Sequence, residues 1–153
     1  MIKIILFKPA DQAEVKSLIL AGLAEHWGVL DPSKNPDLND IATFYADGIF
    51  LVAWDDDQII GTGALMPRSA EVAEIVRMSV AAGMRRQRVG SRIIEALISA
   101  ARERGFQRVI LETTATWEEV VQFYLRSGFR ITHYQDGDVY FELDLAHYDA
   151  HSL

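Results

Sequence analysis

The sequence predicts an α/β fold: a mixed, mostly antiparallel seven-stranded sheet with one parallel βαβ pair and flanking helices. Hydrophobic periodicity switches between the helical and the strand repeat along the chain, and turn residues separate the segments. Residues 71–113 read as strand, helix and strand, which requires a parallel pair with a right-handed crossover. At 153 residues the chain has the length of one ordinary domain, so we expect a single domain over 1–153.

The segments follow one another in the order β-α-α-β-β-β-α-β-α-β-β. The strand segments show period-two alternation between turn signals and cover 3–7, 49–54, 59–66, 71–80, 108–113, 129–134 and 138–145. The helical segments show apolar periodicity or capping signals: one begins after Asp11 and reaches His26, the next two cover 38–45 and 90–104, and the last begins at a capping box of Thr116 and Glu119 and ends at Gly128.

Composition excludes several classes of function. The chain has no cysteine, which rules out disulfides, thiolate metal sites and cysteine nucleophiles, and its histidines have no spacing typical of a metal site. A formal net charge of −7 argues against nucleic-acid binding. The apolar run at 1–9 is too short for a signal peptide, and no stretch approaches membrane-spanning length. We therefore expect a cytoplasmic protein with neither a membrane nor a nucleic-acid partner.

One positive segment stands out in this acidic chain. Arg85, Arg86, Arg88 and Arg92 fall within eight residues, directly before or at the start of the predicted 90–104 helix. A helix N-terminus offers unpaired N–H groups and a partial positive charge, Gly90 leaves the approach open, and Ser91 adds a hydroxyl. The segment therefore predicts a site for a small anion such as a diphosphate. The alternative is that these arginines only solvate a loop.

Three motifs carry a resemblance to a known family. The segment RRQRVG at 85–90 follows the strand end RMSV at 77–80, FYLRSGF occupies 123–129, and AEIV occupies 73–76. In this order and spacing they resemble the GNAT superfamily of N-acetyltransferases. Arg88 departs from the family pattern, because it stands where the first glycine of the phosphate motif usually lies. It either limits the approach of the diphosphate or replaces it with a guanidinium contact.

The resemblance implies an acyl-CoA-dependent N-acyltransferase, with acetyl-CoA as the expected cosubstrate and no metal. The residues it implies for the coenzyme lie at the strand end and along the phosphate loop: Met78, Ser79, Val80, Arg85, Arg86, Gln87, Arg88, Val89, Gly90 and Ser91. Glu74 is the candidate base. On simple alternation it shares a face with Val76 and Met78, and an apolar setting would raise its pKa into a range useful for a base. The alternative is an exposed carboxylate on a bulged strand, with water relaying the proton. Tyr124 is the candidate acid for the departing thiolate, with core packing as its alternative role.

Several questions stay open from sequence. A non-catalytic acyl-CoA sensor or interaction module would keep the 85–91 segment without needing Glu74 or Tyr124. The acceptor is a small-molecule or peptide amine, and acidic residues in the expected acceptor-side loops hint at a cationic one: Asp31, Asp37, Asp40, Asp136 and Asp138. The resemblance places Trp27 and Tyr45 in or near the segment that shapes the acceptor pocket, with ordinary core and loop as their alternative role. Trp117 either stacks on the coenzyme or covers the start of the last helix as a staple. The terminal hairpin has an edge strand that a second copy could cover, so a homodimer is left open.

Overall fold

The computed structural model of the protein describes residues 1–28 and 32–147. It contains seven strands, β1 to β7 in chain order: Ile2–Leu6, Ile49–Asp55, Gln58–Pro67, Val72–Val80, Arg108–Thr114, Arg130–Gln135 and Asp138–Asp144. The α-helices of the described residues, α1 to α4, are Gln12–Trp27, Ile41–Phe44, Val89–Glu103 and Glu118–Arg126. These bounds agree with the predicted segments to within one or two residues at most ends.

The strands form one sheet in the order β1-β2-β3-β4-β5-β7-β6. Every neighbouring pair is antiparallel except β4 and β5, which are parallel and joined through α3. The predicted mixed sheet with one parallel pair is therefore confirmed.

Two hydrophobic clusters cover the two faces of this sheet. Alternate residues of β2 divide between them: Leu51 and Ala53 belong to the cluster with α3 and α4, while Phe50 and Val52 belong to the cluster with α1 and α2. This is the division that period-two side-chain alternation in a strand requires. We call the two sides the α3 face and the α1 face.

The α3 helix packs through the stripe that its sequence predicts. Val89, Ile93, Leu97 and Ala101 recur every four residues, and all four are fully buried. Gly63 of β3 permits the close approach, because a Cβ there would lie 2.5 Å from Ile93 Cγ2. Burying each large aliphatic side chain contributes roughly 1.5–3 kcal/mol. The start of α3 is therefore held firmly against the end of β4.

Two local predictions were wrong. The segment 38–45 is not one helix: Pro36–Asn39 forms a 3₁₀ turn, and α2 follows with a cap from Asp40, whose carboxylate accepts from Thr43 N at 3.2 Å. The expected capping box at Thr116 does not form. A turn bonds Trp117 N to Thr114 O at 3.1 Å, and α4 begins only at Glu118.

Candidate active site

The parallel strands β4 and β5 separate partway along their length. They pair at Val72–Arg108, Ala73–Val109 and Glu74–Ile110, and no later pair joins them in the described part of the chain. Yet β4 runs on to Val80 and β5 to Thr114. The sheet is therefore split at the carboxyl ends of its parallel pair, which is where ligands bind in open α/β sheets. We call this opening the strand gap.

A bulge in β4 accompanies the strand gap. Thr62 faces Ser79 and Ala64 faces Val76, so two β4 residues lie opposite Gly63 alone. The extra residue is Arg77, whose φ of 56° is left-handed, and its carbonyl accepts from Thr62 Oγ1 at 2.8 Å. A bulge bends its strand and re-aims the side chains that follow.

The bulge changes the facing of the residues after it. Met78 and Val80 pack on the α3 face, whereas Val76 packs on the α1 face. The expectation that Met78 shares a face with Val76 is therefore wrong, because the bulge interrupts simple alternation. Ser79 turns towards α1, where a Cβ placed on Gly22 would lie 3.0 Å from Ser79 Oγ.

A buried ion pair anchors the bulge from the α1 face. The Arg77 guanidinium donates to Asp37 at 2.9 Å from Nε and 2.7 Å from Nη2, and Nη2 also donates to Asn35 Oδ1 at 3.0 Å. The Tyr45 hydroxyl donates to Asp37 Oδ2 at 2.6 Å. Burial alone would raise the pKa of Asp37, but the hydrogen bonds from Arg77 and Tyr45 outweigh it and lower that pKa. Asp37 is thus a neutralised structural charge rather than a free ligand for a cationic amine.

The predicted phosphate loop lies at the end of β4. Ala82–Gln87 forms a 3₁₀ turn that includes the backbone of Arg86 and Gln87, and Arg88 precedes α3 with a left-handed φ of 61°. A positive φ is strained for an L residue and is adopted freely by glycine, so Arg88 stands at a position that favours glycine. Within the described residues the Arg88 side chain does not cap α3. The N–H groups at the start of α3 thus have no N-cap side chain as an acceptor.

Two contacts border this helix start. Arg85 Nη2 forms an ion pair with Glu25 Oε2 in the last turn of α1 at 2.6 Å, and Arg85 Nε donates to Val80 O at 3.3 Å. A Cβ on Gly90 would lie 3.2 Å from Phe123 Cζ of α4. Gly90 therefore permits close packing between α3 and α4, and its role in admitting a phosphate stays a prediction. Val89 is buried, and Ser91 is half-buried.

The two predicted catalytic residues lie in different surroundings. Glu74 is half-buried, and its Oε1 accepts from Arg68 Nε at 2.7 Å, so its environment is ionic rather than only apolar. Tyr124 is 6% exposed in an aromatic cluster, with ring centroids 5.1 Å from Phe123 and 5.7 Å from Phe141. Burial raises the pKa of the Tyr124 phenol, so the phenol is protonated at neutral pH.

A cavity opens on the α1 face of the strand gap. It has a volume of about 350 Å³, and its lining includes Val76 and Arg77 of β4, Glu112 of β5, and Tyr45. Arg68, the partner of Glu74, also lines it. Sequence reasoning missed both Arg68 and Glu112, because the pattern of each strand gives no sign of which residues meet across the gap.

The last turn of α1 spans the mouth of the site. Trp27 lies 5.5 Å from Trp117 between ring centroids, just before α4, while Glu25 reaches Arg85 beyond β4. The helix end thus contacts both sides of the strand gap. Of the acidic loop residues considered above, Asp31 lies outside the described residues.

Across 1–28 and 32–147, no group of three or more histidine, aspartate or glutamate side chains is arranged to hold a metal ion. None of the helices in those ranges is both long enough and apolar enough to cross a membrane.

Comparison with known proteins agrees with this architecture. The sequence model of the Acetyltransferase (GNAT) family matches residues 18–129. The chain is 31% identical over 112 residues to the "Probable N-acetyltransferase camello" of Xenopus tropicalis, covering 70% of this chain and 51% of that protein. It is 29% identical over 103 residues to the "Probable N-acetyltransferase 14" of the same organism, covering 65% and 50%. The chain thus spans about half the length of these curated relatives.

Solved structures share the fold. An acetyltransferase of the GNAT family from Staphylococcus aureus Mu50 superimposes with a TM-score of 0.86 at 22% identity, covering 95% of this chain and 99% of that one. The PaiA N-acetyltransferase of Thermoplasma acidophilum, solved in complex with coenzyme A, gives 0.83 at 15% identity, covering 94% and 99%. The family model matches residues 18–129, which is most of this chain, and the fold has the same architecture as these structures. The chain therefore belongs to the Acetyltransferase (GNAT) family.

Proposed function

We propose that the chain is an acyl-CoA-dependent N-acyltransferase that transfers an acetyl group to a primary amine by direct transfer in a ternary complex. The observation that carries the proposal is the position of the α3 N-terminus, which has no N-cap side-chain acceptor and lies directly beside the strand gap. The helix start offers N–H donors near the end of β4, because a Cβ on Gly90 would lie 3.7 Å from Val80 Cγ2.

The coenzyme seat is built from backbone and arginine groups. N–H groups of Gly90 and Ser91 and the positive end of α3 would hold a diphosphate, with the guanidiniums of Arg85 and Arg88 on its flank. Before Arg85 can contact a phosphate, its ion pair with Glu25, 2.6 Å between Nη2 and Oε2, must break. The complex of PaiA with coenzyme A supports this use of the fold.

Three groups of this chain would then serve the reaction. Bound acyl-CoA supplies an activated thioester, from which the amine nitrogen takes the acyl carbon while the thiolate leaves and takes up a proton. Backbone N–H groups near Met78, Ser79 and Val80 would stabilise negative charge on the carbonyl oxygen. Glu74, directly or through water, would accept the amine proton. Tyr124 would give a proton to the thiolate.

A non-catalytic acyl-CoA sensor is the second candidate. The observations that favour it are the ion pair that holds Glu74 and the packing of Tyr124 among aromatic rings. A sensor would keep the α3 seat and have no use for either side chain. The proposed cytoplasmic location and the homodimer remain predictions from sequence.

Release of free thiol tests the proposed function. The purified chain is mixed with acetyl-CoA and, in separate reactions, polyamines, aminoglycosides, amino acids, peptides with free N-termini and simple monoamines. We expect amine-dependent thiol release above the rate of acetyl-CoA hydrolysis with at least one class. Binding of coenzyme A without thiol release from any amine would favour the sensor instead.

A further inference from the structure

The cavity on the α1 face lies where an acceptor would meet the strand gap. Its lining residues Val76, Arg77 and Glu112 follow the last β4–β5 pair, Glu74–Ile110, along their strands. The α3 start belongs to the opposite face of the sheet, where Val89 and Ile93 pack. A ligand in the cavity and a coenzyme at α3 would therefore approach the gap from opposite sides.

The charges around the cavity do not cancel completely. Arg77 is neutralised by Asp37, and Arg68 by Glu74. Glu112 is exposed, and no cation of the described residues forms an ion pair with it. Its neighbour across the sheet is Tyr140 of β7, and a hydrogen bond between the Tyr140 phenol and the Glu112 carboxylate raises the pKa of that phenol. One carboxylate is therefore left to attract a cation into the cavity.

The remaining walls are apolar. Phe44, Met66 and Val76 line the cavity, and the Phe44 side chain is 55% exposed. A volume of about 350 Å³ lies near the lower end of the range of small-molecule sites, roughly 300–1,000 Å³. Such a site has room for a small apolar body, and among its described lining residues Glu112 is the one carboxylate without an ion-pair partner.

We infer that the acceptor is a small primary monoamine with an aryl or alkyl body, whose ammonium group is recognised by Glu112. This inference rests on the proposed function and names the substrate class of the same site. A carboxylate on the ligand would meet Glu112, while Arg68 and Arg77 of the cavity lining already form ion pairs with Glu74 and Asp37. A polyamine would have to bury additional ammonium groups against Phe44, Met66 and Val76, at a desolvation cost.

A matched pair of acceptors tests the class. Phenylalanine is 2-phenylethylamine with one added carboxylate on the carbon that bears the amine, so that carboxylate is the one group by which the two differ. With saturating acetyl-CoA we expect kcat/KM for 2-phenylethylamine to exceed that for phenylalanine by about tenfold or more, the loss that one unfavourable charge contact produces. Hexylamine should behave like 2-phenylethylamine, and spermidine like phenylalanine.

Glu112→Gln tests the residue. We expect KM for 2-phenylethylamine to rise about tenfold or more, KM for acetyl-CoA to stay unchanged, and the melting temperature to stay unchanged because Glu112 is exposed. Calorimetric titration of 2-phenylethylamine into the protein saturated with coenzyme A should show the same loss of affinity without turnover. Glu103→Gln, at the far end of α3, is the matched control and should change none of these values.

The outcomes separate the two proposals. Faster turnover of spermidine or phenylalanine, or an unchanged amine KM in Glu112→Gln, would overturn the monoamine inference and leave the transferase standing. Absence of thiol release with every amine would overturn both.

Discussion

At the scale of single residues, Arg77 connects the cavity on the α1 face to the strand gap. It is the bulged residue of β4, and its guanidinium is held by Asp37 forty positions earlier. The sequence predicts the strand end that contains Arg77, but it cannot predict this partner. The contact joins a 3₁₀ turn to the middle of the sheet, and no periodicity within either segment encodes it.

Removing the charge of Asp37 should destabilise the fold. Asp37→Asn leaves the largely buried Arg77 guanidinium without its carboxylate, so we expect the free energy of unfolding at pH 7 to fall by about 3 kcal/mol. Urea unfolding measures this change. Asp57→Asn, in the exposed β2–β3 turn, is the control and should change it by less than about 0.5 kcal/mol.

The same pair predicts a dependence on pH. Because the pKa of Asp37 is lowered in the folded protein, its stabilisation is fully present above its ordinary value of about 4 and is lost as pH falls below it. The difference in unfolding free energy between the parent protein and Asp37→Asn should therefore shrink in acid. A difference that grows between pH 5 and pH 3 would contradict this assignment.

Tyr124 separates the enzyme from the sensor. Tyr124→Phe keeps the aromatic packing and removes the proton that the phenol would give to the thiolate. We expect kcat to fall about 10²-fold or more, as for loss of a general acid, with coenzyme A affinity unchanged by calorimetry. Unchanged kcat would remove Tyr124 from the reaction and leave it as core.

At the scale of elements, the sequence predicts the helices and strands that have a periodic buried face, but not the turn and the bulge that interrupt them. The α3 stripe and the β4–α3–β5 crossover were predicted correctly, because burial of a periodic face depends on local sequence. The capping box predicted at Thr116 was wrong, because a turn bond from Trp117 N to Thr114 O delays the start of α4 to Glu118. The bulge at Arg77 could not be read from β4, where non-glycine residues give no sign of a positive φ.

In the proposed function, Glu25 at the end of α1 would compete with the coenzyme for Arg85. Glu25→Gln removes the carboxylate that holds Arg85, while this partly exposed ion pair itself contributes only about 0.2–1 kcal/mol. We therefore expect coenzyme A to bind up to about fivefold more tightly to the variant. Calorimetric titration at constant salt measures the change. Weaker binding of coenzyme A to the variant would contradict this, and would mean that Glu25 holds Arg85 in position for the coenzyme.

At the scale of the whole molecule, the site is a product of topology. The order of segments was enough to predict a mixed sheet and to place the phosphate loop at the end of its parallel pair. The strand gap, the cavity and the position of Glu112 depend on how β4 and β5 diverge, which is set by contacts between distant segments. Sequence therefore predicted the order of strand, loop and helix around residues 82–88, but it could not predict which residues line the cavity.

The seat for a diphosphate at the start of α3 is the claim on which the other assignments depend. Calorimetric titration of coenzyme A, with pantetheine as the matched ligand that lacks the diphosphate, tests it most directly. We predict saturable binding of one coenzyme A per chain with a Kd between about 1 μM and 1 mM, the usual range for enzyme substrates, and much weaker binding of pantetheine. No detectable binding of coenzyme A, or equal affinity for the two ligands, would contradict the claim.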